Sequence, residues 1–110
     1  MSGTPLDRAS LDSADLQPCR EQLDRINLLL VDLLAERMTL CRGIAHIKAH
    51  QGLAVMQPQR VAATLAQVRG LAAPRQLRPA YLEALFQLII EETCDEELRV
   101  LADLQAPEEE

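Results

Sequence analysis

The stretch A35-E-R-M-T-L-C-R-G-I-A-H-I-K48 decides how the chain is read, because it sets two cations on an otherwise apolar helical face. Around it runs the series Leu16, Cys19, Leu23, Ile26, Leu30, Leu33, Arg37, Leu40, Ile44, Ile47, in the steps of three and four that mark one side of an α-helix. Arg37 sits within that series. Lys48 follows eleven residues later, three turns on with about 20° of drift, so both cations project from one face with ~16 Å between their Cα atoms. A snorkelling side chain or an ordinary ion pair accounts for one such cation. Two in register call for buried carboxylates or an anionic ligand beside them, since burying unpaired cations is costly.

The helix predicted from this pattern runs from Pro18, which suits a first turn, to about His50, and spans roughly 50 Å. Two short helices of the same chain cannot cover so long a stripe, which calls for a second copy. Arg20 lies seventeen residues before Arg37, ~26 Å away along the rod and about 100° round it. If Arg20 joins the same site, it comes from another subunit. Gly52 ends the helix, Q51-G-L-A-V-M-Q57 forms a loop, and Pro58 opens a second helix with Gln57 or Met56 at its cap. Val61, Leu65 and Val68 give that helix a narrow apolar face, which Gly70 and Pro74 are expected to close. A third helix begins near Pro79 with the stripe Leu82, Phe86, Ile89, Thr93, Glu97, Val100, Leu104. Thr93 and Glu97 are its polar interruptions, and Glu97 is the natural carboxylate for the cations. The organisation predicted is a disordered tail over residues 1–15, an all-α domain over 16–104 and a solvated end over 105–110.

Composition narrows the function. The chain has 110 residues, 48% of them apolar, with one Phe, one Tyr and no Trp, so its core is aliphatic and helix-favouring. The net charge of −6, without a basic run, argues against a nucleic-acid partner and leaves room for a small anionic ligand held by locally gathered cations. The N-terminal residues lack the layout of a signal peptide and no apolar run approaches ~20 residues, so a cytoplasmic protein with no membrane partner is expected. Cys19, Cys41 and Cys94, odd in number and at helical positions, read as reduced, half-buried thiols. His46 and His50 have i, i+4 spacing but no accompanying ligand set, so no metal is expected. No glycine loop cradles a phosphate, and no hydroxyl flanks a histidine as a nucleophile needs.

The order R20, A35-E-R37, K48, a short loop, P58-x-R60, then L85-F-Q-L-I-I-E91-E-T93 and E97 resembles the all-helical chorismate mutases over about residues 16–104. That resemblance implies an intertwined homodimer of three-helix chains, each site borrowing Arg20 from the partner. It also implies a pericyclic [3,3] rearrangement of a dianionic enolpyruvyl ether, which needs no cofactor, metal or nucleophile. What a protein supplies to such a reaction is a compact conformer held by cations on both carboxylates, and donors at the ether oxygen where charge grows. By resemblance, Arg20 of the partner and Arg37 hold carboxylates, Arg60 binds substrate, Thr93 supports a carboxylate, and Lys48 donates to the ether oxygen with Glu97 facing it there. A carboxylate at that oxygen repels the growing charge, whereas a carboxylic acid donates to it.

Two positions depart from the family pattern: Gln57 and Val61 stand where acidic residues commonly lie near the ring hydroxyl at C4. The segment V55-M-Q-P-Q-R-V61, with Cys94 and Glu97, resembles instead the 4-amino-4-deoxychorismate mutases, which lead towards p-aminophenylalanine. A short P-x-R-V-A-A element is shared with isochorismate-pyruvate lyases. Three readings follow: a mutase, with preference for the amino substrate over chorismate; a lyase; or a non-catalytic helical dimer that binds an anionic metabolite.

Overall fold

The computed structural model describes residues 16–106. The tail expected over residues 1–15, and residues 107–110 of the expected solvated end, lie outside the described residues. The described residues are all-α: three helices, α1 (Leu16–Gln51), α2 (Pro58–Ala72) and α3 (Pro79–Gln105), with a 3-10 turn over Ala73–Arg75. None of these helices is long and apolar enough to cross a membrane. The chain divides into two compact units, Met1–Arg37 and Met38–Glu110.

In the first unit, Leu23, Ile26, Leu30 and Leu33 are all about half exposed or more, while Cys19 is half-buried. The expected stripe is thus present on the helix but is not buried by the chain's own residues. The same holds in the second unit, where Leu40 is 66% and Ile47 55% exposed. The buried line is one position further round, at Cys41 and Ala45, with Lys48 half-buried at its end. A single residue step turns a helix by about 100°, enough to move the buried face off the Leu and Ile row. The small side chains of Cys41 and Ala45 occupy little of that face. Beside them the longer Arg42 and Lys48 reach α3, at Glu96 and Glu97.

The second unit is built on α2 and α3. Val68 and Ala72 are buried, Val61, Leu65, Leu82, Phe86 and Ile89 are half-buried, and Arg69 pairs with Glu83 between the two helices. Their caps follow the sequence. Gln57 is the N-cap of α2 with Pro58 at the first position, and Arg78 is the N-cap of α3 before Pro79. At both starts the missing proline N–H is one that no helical partner would have met.

The end of α2 differs from expectation. The helix passes through Gly70 to Ala72, and the chain turns only at Gln76, in the left-handed region with φ 60°. Glycine inside a helix costs only about 1 kcal/mol, and the buried Val68 and Ala72 on either side hold the helical path. Pro74 fits the 3-10 turn, and Gln76 and Leu77 close it by donating to the carbonyls of Ala73 and Ala72, each at 3.0 Å.

Candidate active site

The most enclosed charges among the described residues are on facing sides of α1 and α3. Glu97 is 4% exposed, and Lys48 Nζ lies 2.8 Å from its Oε1. The same ammonium donates to the carbonyl oxygen of Val55 at 2.7 Å. One nitrogen therefore ties α1, the loop after it and α3 together. The pair meets the demand that a buried charge be both paired and hydrogen-bonded. An ammonium carries three N–H donors. Glu97 and Val55 use two.

Thr93 lies one turn before Glu97 and is buried. Its Oγ1 donates to the Ile89 carbonyl at 2.8 Å, the back-bonding common for hydroxyls inside helices. Cys94, half-buried beside Thr93, is held in its thiol form: burial pushes its pKa up and the Glu97 carboxylate adds to this, against a smaller opposing effect of Lys48. A low-pKa nucleophile is thus not what this cysteine provides.

Gln57 is half-buried at the end of the loop, its Nε2 donating to Ala54 O at 3.3 Å and its carbonyl accepting from Val61 N at 3.0 Å. Its side-chain Oε1 is the acceptor end. Val61 lines a cavity of about 440 Å³ with Met56, Leu65, Ile90 and Cys94, and Glu91 and Asp95 also border it. Volumes of this order suit small-molecule sites, which are mostly apolar with a few polar groups. Arg60, on the first turn of α2, is exposed. In the first unit, Arg20 is exposed and Arg37 half-buried on α1.

Of the residues picked from sequence, the second unit brings Lys48 and Glu97 into contact and buries Thr93 one turn away on the same helix. Val55 and Cys94 join the site without being sequence-predicted members of it. A backbone acceptor leaves no trace in residue type, so the Val55 carbonyl was invisible in the sequence. Cys94 had a signal, its place between Thr93 and Glu97 on α3. His46 and His50 line a separate cavity of about 690 Å³ with Leu101 and Leu104, and no group able to hold a metal ion occurs among the described residues.

A family model described as chorismate mutase type II matches residues 19–98, which include Arg20, Arg37, Lys48, Thr93 and Glu97. The chain belongs to the type II chorismate mutase family. Within this family the chain is 34% identical over 92 residues to a 4-amino-4-deoxychorismate mutase of Streptomyces pristinaespiralis, covering 84% of this chain and 71% of that one. It is 34% identical over 80 residues to a protein of the same name from Streptomyces venezuelae, covering 73% of this chain and 78% of that one. An isochorismate pyruvate lyase of Pseudomonas aeruginosa is 35% identical over 79 residues, 72% of this chain and 77% of that one.

The Lys48–Glu97 pair generates a stability prediction. Lys48→Met leaves Glu97 buried without its cation and should cost about 3 kcal/mol or more in urea unfolding. Lys48→Met combined with Glu97→Leu removes both charges and should recover much of that loss. Both are compared with wild type at one protein concentration. A single variant as stable as wild type would mean that the pair is solvated rather than buried.

Proposed function

We propose that the chain is a mutase that rearranges a dianionic enolpyruvyl ether, with 4-amino-4-deoxychorismate preferred over chorismate. The observation that carries this reading is the Lys48–Glu97 contact at 2.8 Å, buried and backed by the Val55 carbonyl. The reaction needs a fixed donor where the C–O bond breaks, and a half-buried ammonium with one N–H left over is such a donor. The ether oxygen is received between Lys48 and Glu97, which requires the two groups to part. Glu97 serves that oxygen as a donor when protonated. Arg37 holds one carboxylate of the substrate, Arg20 of a second copy holds the other, and Arg60 and Thr93 complete the anion site. For Thr93 this means turning its hydroxyl from Ile89.

The preference for the amino substrate is supported by Gln57 and Val61, which carry no charge, and by the names of the two Streptomyces relatives. With its Nε2 engaged at Ala54, Gln57 offers Oε1 as an acceptor for an N–H at C4. The homodimer is supported by the exposed apolar residues of α1, Leu23, Ile26, Leu30 and Leu33 in the first unit and Leu40 and Ile47 in the second, of the kind that a second copy buries. The lyase is the second reading, favoured by the P58-x-R60-V-A-A element and the Pseudomonas relative.

Chorismate, 4-amino-4-deoxychorismate and isochorismate supplied at equal concentration separate the readings. The amino compound is expected to have the highest kcat/KM and to give an aminodeoxyprephenate. A higher value for chorismate would overturn the preference, release of fluorescent salicylate from isochorismate alone would make the chain a lyase, and no turnover would leave a binding protein.

Sharing of the site is tested by subunit exchange. Arg20→Ala and Arg37→Ala chains are each expected to be nearly inactive, each having lost charge-assisted bonds worth about 1.5–3 kcal/mol apiece. Mixed and allowed to exchange, half of the dimers are heterodimers with one intact site, so about a quarter of full activity should return. No recovery after exchange would show that Arg20 serves its own chain's site or none.

A further inference from the structure

We infer that Val55 is the positioning residue for Lys48, binding the loop over residues 52–57 and the ammonium into one unit. The inference rests on the mutase reading and extends it to a residue with no reactive group. The loop is tied to Lys48 twice. Gly52, with φ 68°, turns the chain out of α1, and Leu53 N then donates back to the carbonyl oxygen of Lys48 at 2.8 Å. Two residues on, the Val55 carbonyl accepts from the Lys48 ammonium at 2.7 Å. Backbone and side chain of one lysine thus close a ring around the start of the loop.

The Val55 side chain sets where that carbonyl lies. It is 9% exposed, whereas Leu53, Ala54 and Met56 around it are exposed, so the loop is anchored at this residue. The choice of acceptor also matters chemically. A second carboxylate would hold the ammonium equally well but cancel the charge that the reacting oxygen needs. A carbonyl fixes the nitrogen and leaves its charge in place. When Lys48 and Glu97 part to receive the ether oxygen, the Val55 carbonyl at 2.7 Å keeps hold of one N–H and so limits where the other two can point. Val55 therefore acts on turnover through Lys48 and does not touch the substrate's carboxylates.

The test changes the acceptor and leaves every side chain alone. Replacing Met56 by its α-hydroxy acid turns the Val55–Met56 amide into an ester, whose carbonyl accepts hydrogen bonds more weakly. A control ester at the Leu53–Ala54 bond perturbs the loop equally without involving the Val55 carbonyl. The Val55 ester is expected to lower kcat roughly five- to tenfold with KM within about twofold, as weakening without loss of one hydrogen bond to a charged group predicts. The control is expected to keep wild-type kcat. The exchange of the Lys48 ammonium protons, followed by nitrogen-15 NMR without substrate, should be slow in wild type and control and faster in the Val55 ester. Unchanged kcat and unchanged exchange in the Val55 ester, or equal losses in both esters, would overturn the inference. Should wild type turn over none of the three ethers, the mutase reading fails, and the exchange measurement still decides whether Val55 fixes the ammonium.

Discussion

A buried carboxylate has to be answered by a cation, and in the second unit the ammonium that answers Glu97 joins three separate pieces of chain. Lys48 comes from α1, Glu97 from α3 and the Val55 carbonyl from the loop before α2. The cost of an unpaired charge away from water draws them to one nitrogen. The surrounding residues suit this arrangement: Cys41 and Ala45 keep the α1 face small beside the lysine, and Thr93 meets its own hydrogen-bonding need within α3. The result is an ammonium held in place by an ion pair and a carbonyl, in a protein whose net charge is −6.

This arrangement suits a reaction that asks little covalent chemistry of its catalyst. A pericyclic rearrangement is helped by holding one conformer and by stabilising charge where it appears. Both can be done by preformed cations, and membership of the type II chorismate mutase family agrees with such a site. Cys94, kept as a neutral thiol by burial and by Glu97, adds wall to the adjoining cavity rather than reactivity.

Much of this was legible in the residues. Prolines 58 and 79 marked helix starts, Gly52 marked an end, and the polar interruptions Thr93 and Glu97 on an apolar stripe pointed to the buried side of α3. Periodicity identified a Leu and Ile row on α1 but not what covers it, since a repeat of three and four is the same whether the neighbour belongs to this chain or another. Within the chain the buried line is Cys41 and Ala45, small residues that pattern reading passes over. Gly70 reads as an end because glycine punctuates, yet packing at Val68 and Ala72 carries the helix past it. The Val55 carbonyl had no sequence signal, because every residue carries one and only the fold selects which is used.

The proposed role of the Lys48 ammonium is to stabilise the negative charge that grows on the ether oxygen as the C–O bond breaks. Its most direct measurement is the steady-state kinetics of Lys48→Met, a side chain of similar length without charge, on the substrate that wild type prefers. Loss of one preorganised donor at a developing negative charge predicts a fall in kcat of about 10²–10³, larger than any change in KM. A folded Lys48→Met protein with wild-type kcat would contradict the account.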